Sequence, residues 1–89
     1  MIKVRNMTSS RGNEVPNQFI IEDDNFIYFQ SYDSIIIKKD KRTREITLDE
    51  RYWDYSVTTG KYRNLFLNET KKETERKIKE GIYKLDNLN

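Results

Sequence analysis

The run Arg51 to Leu67 places Tyr52, Trp53, Tyr55, Tyr62 and Phe66, five of the chain's eleven aromatic residues, in one short stretch. A single domain of 89 residues buries only about 60 to 65% of the surface its unfolded chain exposes. Aromatic rings supply the largest burial per residue, on the order of 150 to 250 Å² each. Trp53, Tyr62 and Phe66 are therefore expected in a thin core, with the remainder of the chain packed against them. For Tyr32 and Tyr55 the choice between core and surface stays open.

Ahead of this run the sequence has the period of strands. Ile2 to Met7 alternates Ile2 and Val4 with Lys3 and Arg5, the pattern of a half-buried strand. Thr8 to Pro16 reads as a loop. Its Ser, Gly and Asn suit any turn, and they also suit a backbone nest for an anion. Asn17 to Glu22 and Phe26 to Tyr32 are β-branched and aromatic-rich, and Asp23-Asp24-Asn25 between them predicts a hairpin. Glu22, Asp23 and Asp24 lack the spaced oxygen ligands of a calcium loop, so they read as a solvated turn and no metal is expected. Tyr32-Asp33 predicts the next turn and Ser34 to Lys39 the next strand. Because Ile35, Ile36 and Ile37 are consecutive, both faces of that strand are expected to be apolar, the second covered by a helix or a partner chain. Arg44 to Asp49 resumes alternation, with Ile46 and Leu48 pointing inward.

Past Asp49 the period becomes helical. Thr58 or Thr59 can cap a helix over about Gly60 to Leu67, with Tyr62, Leu65 and Phe66 as its apolar stripe. A second helix is expected over Lys71 to Glu80. Thr70 and Glu73 fit a capping box, Gly81 fits the residue after the cap, and Glu73–Lys77 and Glu75–Lys79 are spaced as i,i+4 pairs. Its one strong apolar residue is Ile78, which keeps it on the surface. Ile82 to Leu85 suits a last short strand. The fold class predicted is α+β: an antiparallel β-meander of four to six strands followed by two short helices packed on one face, in one domain over residues 1–89.

Charged residues make up 36% of the chain and hydrophobic ones 35%, against roughly 25% and 45 to 50% in an average domain. A core this lean leaves room for a homodimer that buries more apolar surface. The chain has neither Cys nor His. Thiolate nucleophiles, cysteine–zinc clusters and His-dependent hydrolases, nucleases and zinc enzymes are thereby excluded. No apolar run approaches the ~18 residues of a membrane span, and a cytoplasmic protein is expected. The formal net charge of +2 is too small for a global field that would draw in nucleic acid.

Trp53-Asp54-Tyr55-Ser56, followed by Thr58-Thr59-Gly60-Lys61-Tyr62-Arg63 and Phe66-Leu67, resembles the signature of a family of small uncharacterised proteins carried by bacteriophages and other mobile elements. The likeness extends to Asn17, Gln18 and Phe19, to Tyr28 through Tyr32, and to Ile78 through Leu88, so it spans nearly the whole chain; the basic stretch Lys38 to Arg44 lies outside it. The resemblance implies a mobile element inside a bacterial cell, with no catalytic residues and no cofactor.

Two features remain as candidate sites. Lys38, Lys39, Lys41, Arg42 and Arg44, at a predicted hairpin tip, can contact phosphates, and Lys61 and Arg63 can extend the patch. Charges at such a tip also solubilise it and block edge pairing. Tyr28, Tyr32 or Tyr55, exposed on a sheet face beside the tip, would form a stacking platform for single-stranded nucleic acid. Asp54 with Lys61 or Arg63 is more simply a structural ion pair than an acid–base pair. The expectation is a non-enzymatic protein that occupies a host protein or ribonucleoprotein complex, for example as an inhibitor of a defence complex such as a CRISPR effector. Direct nucleic-acid binding through the basic stretch is the alternative, and a homo-oligomer built on the Ile36 face is a second.

Overall fold

A computed structural model describes residues 1–89. Six strands form one sheet in the order of the chain: β1 (Lys3–Thr8), β2 (Glu14–Glu22), β3 (Phe26–Ser31), β4 (Ser34–Asp40), β5 (Ile46–Asp49) and β6 (Lys84–Asp86). The first five are an antiparallel meander, and β6 closes the sheet by pairing parallel to β5. Helices α1 (Val57–Leu67) and α2 (Lys71–Lys79) form the crossover between β5 and β6. A parallel pair needs such a crossover, since a tight turn cannot return the chain in the same direction. This is the α+β meander expected, with a parallel last strand added. No helix is long and apolar enough to cross a membrane.

Cross-strand register aligns Ile20, Phe29, Ile37 and Leu48 in one row, and all four are buried. The helices cover this face. The Phe66 ring of α1 stacks on Phe29 with centroids 5.9 Å apart, and Thr59 Oγ1 shares a 2.8 Å hydrogen bond with Ser31 Oγ. Tyr62 and Tyr83 complete the buried cluster, while Tyr52, Trp53 and Phe66 pack partly buried against it. The aromatic run is thus mostly scaffold, and Tyr55 is its exposed member.

The three isoleucines behave differently from their sequence pattern. Phe29 pairs with Ile37 and Gln30 with Ile35, so Ile36 is an extra residue without a partner. Such a bulge re-aims a side chain. Ile36 and Ile37 both enter the same core at 1% and 0% exposure. The Ile36 side chain therefore needs no second cover, and it offers no face to another chain.

Local boundaries shift for identifiable reasons. Strand β2 begins at Glu14 inside the expected loop, because Thr8 pairs with Glu14 across an irregular register. Ser56, not Thr58 or Thr59, caps α1: its Oγ accepts from the Thr59 backbone N–H, which frees Thr59 to point into the interior. The helix stripe is Thr59, Tyr62, Arg63 and Phe66, and Leu65 is exposed. In α2 the capping box of Thr70 and Glu73 forms. Its ion pairs are Arg76–Glu80 and Lys77–Glu69 rather than the two expected, since Glu73 turns back to the cap. Helix α2 is held by Thr74, fully buried, as well as by Ile78.

Candidate interaction surface

The helices leave the other side of the sheet open. Side chains alternate across a sheet, so the neighbours of the buried row face away from the helices. Val4, Ile21, Tyr28, Lys38, Thr47 and Lys84 form one row across all six strands on that open side. Asn6, Phe19, Gln30 and Ile35 form the adjoining row, and Phe26 opposite Asp40 begins the next. None of these apolar side chains belongs to the core cluster or packs against it. Val4 is 61% exposed, and Phe19, Ile21, Phe26, Tyr28 and Ile35 are half-buried by their neighbours alone.

The apolar and charged groups of this face are segregated. Strands β1 to β3 contribute Val4, Phe19, Ile21, Phe26 and Tyr28. Strands β4 to β6 and the β4–β5 turn contribute Lys38, Asp40, Glu45, Lys84 and Asp86, with Ile35 the apolar side chain among them. The Phe26 and Tyr28 rings lie 6.0 Å apart, and Lys38 Nζ stands 4.3 Å over the Phe26 ring. Lys84 is ion-paired with Glu45. Phe26, Lys38, Asp40, Glu45 and Thr47 enclose a shallow depression of about 220 Å³. Burial, with the charge of Asp23 added, holds the Tyr28 phenol above its ordinary value, so it stays neutral and presents a hydroxyl. Lys38 and Lys84 are offset by Asp40 and Glu45, and Asp86 of β6, two residues from Lys84, adds a further carboxylate, so the face carries no excess of positive charge.

The basic stretch does not form a single patch. Lys38 and Lys39 are successive residues of β4 and point to opposite faces. Lys41 is bound to Glu22 at 2.7 Å, which also receives Arg5 at 3.5 Å. Hydrogen bonding to Lys41, and its charge, lower the Glu22 carboxyl. Arg42 and Arg44 alone remain exposed and unpaired at the turn. Its shape is set by Asp40, whose Oδ1 accepts from the backbone N–H groups of Arg42 and Thr43, and by Arg44 in a left-handed conformation.

Lys61 lies on α1, on the helix side of the sheet, with its Nζ 5.4 Å from the Tyr62 ring centroid. Arg63 is buried, 1% exposed, so it cannot extend a contact surface. Its guanidinium donates to the Trp53 carbonyl at 2.8 Å and to Asp54 at 3.2 Å, and sits 5.3 Å from the Trp53 ring. It anchors the aromatic run to α1. Asp54 also holds Lys71 at 2.7 Å, tying α1 to α2. Burial opposes its ionisation, but Lys71 and Arg63 together keep it below the ordinary aspartate range. Lys61 is not its partner.

Tyr32 and Tyr55 do not complete a stacking platform with the turn. Tyr32 occupies the β3–β4 turn at the opposite end of β4, whose seven residues separate it from Lys41 by roughly 20 Å. Tyr55 follows the far end of β5 and packs edge-on against Tyr52. Both are exposed, but in different surroundings from Arg42 and Arg44. Of the tyrosines considered, the structure brings only Tyr28 beside a cation of the basic stretch, Lys38.

A separate cleft of about 1060 Å³ lies between α1 and α2. Lys61, Arg63 and Lys71 face Asp54, Glu69 and Glu73 there, three cations against three carboxylates. Glu69 is the best-bound of these carboxylates. It accepts from Lys77 Nζ and Tyr83 Oη, each at 2.7 Å, and from Thr74 Oγ1 at 2.6 Å. Burial and the Glu69 charge push the Tyr83 phenol up to about 12. The acidic turn is likewise committed: Asp23 accepts from the Asn25 and Phe26 backbone, and Asp24 meets the terminal amine of Met1. In the first loop Ser9 accepts from the backbone of Arg11 and Asn13.

Phe19, Ile21 and Phe26 of the open face are members that sequence reasoning missed. The available signal was the alternation in β2 and β3, which sets Phe19 and Ile21 opposite Ile20. Neither a curated protein nor a solved structure matches the chain. Residues 2–81 match the model of the family of unknown function DUF8033, and the chain belongs to that family.

Proposed function

We propose that this chain is a non-enzymatic binding protein of a phage or other mobile element, and that it acts by occupying a protein complex of its bacterial host through the open face of its sheet. The observation that carries the reading is that face. Five apolar side chains on β1 to β3, Val4 exposed and Phe19, Ile21, Phe26 and Tyr28 half-buried, lie where no helix covers the sheet, beside a charged margin on β4 to β6. Exposed contiguous apolar surface with a polar margin is the usual mark of a protein-binding site. Absence of net positive charge on the face favours protein over nucleic acid, whose binding rests on phosphate neutralisation. Asp23, Asp40, Asp54 and Glu69 are engaged in turns and ion pairs. The sequence resemblance supplies the mobile-element setting, and a host defence complex is the kind of target that setting suggests.

Affinity purification from bacterial lysate, with and without nuclease, tests the reading. The wild type should retain a defined protein complex irrespective of nuclease. Ile21→Lys, at the centre of the open face, should lose it, whereas Val57→Glu on exposed α1 should retain it. Retention by Ile21→Lys would refute the assignment of the face. Nuclease-sensitive retention abolished by reversing Arg42 and Arg44 would replace it with direct nucleic-acid binding.

A further inference from the structure

We infer that the outer edge of β1 receives an extended segment of a partner protein in which acidic and apolar residues alternate, so that the partner adds a strand to the sheet. This site is the rim of the sheet, and it stands whether or not the open face is occupied.

Strand order leaves β1 and β6 as the two edges. Every residue but proline carries a backbone N–H and C=O, and an edge strand pairs only the groups that face its one neighbour. From Lys3 to Asn6 the register of β1 with β2 is regular. No hydrogen bond from a turn, a loop or a side chain reaches the backbone groups that face outward there. Such a row is a template for another extended chain, the basis of recognition by strand addition. The opposite edge offers less, because β6 has three residues where β1 has six.

The side chains beside this edge define what can pair with it. Lys3 and Arg5 are the charged residues of β1, and both are exposed. They point to the helix side, Arg5 standing opposite the buried Ile20, while Val4 points to the open face. Val4 and the preceding Ile2 are also exposed. The carboxylates at this end are engaged elsewhere. Glu22, opposite Lys3, binds Lys41 at 2.7 Å and meets Arg5 at 3.5 Å. Asp23 accepts from the Asn25 and Phe26 backbone, and Asp24 meets the Met1 amine.

A strand laid along β1 sets alternate side chains beside Lys3 and Arg5 and the intervening ones beside Val4. Carboxylates suit the first set and apolar groups the second. The same edge of a second copy does not fit, since the cations of the two copies would stand side by side across the new pairing. Cations on an edge keep a strand from pairing with its own kind. Here they also select a strand of opposite sign.

The probe is a capped synthetic peptide of alternating glutamate and valine, with a lysine–valine peptide as its counterpart. Each is titrated into the full chain and followed by NMR and amide hydrogen exchange. The glutamate peptide should shift the resonances of β1 and slow exchange at its outward-facing amides; the lysine peptide should do neither. Lys3→Glu combined with Arg5→Glu should weaken the glutamate peptide by about tenfold and admit the lysine peptide. Circular dichroism establishes that this variant is folded, and the wild-type comparison of the two peptides needs no variant. Failure of the glutamate peptide to bind, equal binding of the two peptides, or equal binding by the reversed variant overturns the inference. Changes centred on Tyr28 and Lys38 would place the peptide on the open face and overturn it as well. Protection of the β1 amides that grows with protein concentration in the absence of peptide would assign the edge to a second copy, with the same consequence.

Discussion

Replacing Asp49 by asparagine probes what holds the two ends of the helical crossover together. Asp49 closes β5 and is 1% exposed. Its Oδ2 accepts from the backbone N–H groups of Arg51 at 3.1 Å and Tyr52 at 2.8 Å. Its Oδ1 accepts from the Leu88 N–H at 2.8 Å and the Asn89 side-chain amide at 3.0 Å. One carboxylate thus joins the start of the aromatic run to the segment after β6. The substituted side chain would be nearly isosteric, but with a single acceptor oxygen. Its amide nitrogen would face two donors on one side or the other. Two hydrogen bonds to a charged acceptor are lost, each worth about 1.5 to 3 kcal/mol, and removing a buried charge returns part of that. A net cost of about 2 to 4 kcal/mol follows from these two effects. At about 4 to 8 °C per kcal/mol for a domain of this size, the midpoint should fall by roughly 8 to 32 °C.

The acid limb gives an independent reading of the same group. Burial opposes ionisation of Asp49, but the donors from Leu88, Tyr52, Asn89 and Arg51 outweigh it and hold the carboxyl below the ordinary aspartate value of 3.8. A folded pKa below the unfolded one means that the charge stabilises the fold at any pH above the unfolded value. That contribution is lost as pH falls through the folded pKa. Urea denaturation of wild type and Asp49→Asn should therefore show a constant gap from neutrality down to about pH 5, narrowing below about pH 4. A loss under about 1 kcal/mol at neutral pH, or a gap that persists unchanged in acid, would refute this account of the carboxylate.

Two further substitutions separate effects that look alike in the sequence. Ile36→Ala empties core volume and should cost about 2 to 5 kcal/mol in urea denaturation, whereas Ile35→Ala on the half-exposed open face should cost well under half of that. Equal losses would mean that the bulge does not direct Ile36 inward. Gly60→Ala should stabilise by up to about 1 kcal/mol, since the position is helical and a Cβ there meets the Arg63 guanidinium no closer than 3.5 Å. Gly81→Ala should destabilise by about 1 kcal/mol, because its φ of +77° follows the α2 cap, and opposite shifts in thermal midpoint would verify both.

Legibility of the fold follows how local each cause is. The hairpin at Asp23-Asp24-Asn25 and the capping box of Thr70 and Glu73 depend on residues within one turn of each other, and both form as the sequence indicates. Helix α1 was readable as a helix, but its cap was not. Ser56, Thr58 and Thr59 are chemically equivalent candidates, and what selects Ser56 is Ser31, a residue on another strand that takes up Thr59. The candidate site was less readable still. Lys38 to Arg44 is one basic run in the sequence. In the fold Lys41 is bound to Glu22, Lys38 and Lys39 point to opposite sides, and the turn presents Arg42 and Arg44 alone. Arg63 looked like a surface cation and is a buried anchor, because its partners Trp53 and Asp54 precede the helix and fold back onto it.

The sequence by itself determined the class of fold: period-2 runs must be strands, the switch past Asp49 must be helical, and a chain without His or Cys is confined to a narrow range of chemistry. These properties are set by side-chain spacing and composition, which act within a few residues. Tertiary structure alone decided that the sheet has a bare side, that a bulge turns Ile36 inward, that β6 returns parallel to β5, and which cations stay free. Each of those outcomes depends on partners brought together by pairing register, and register is a property of two segments at once.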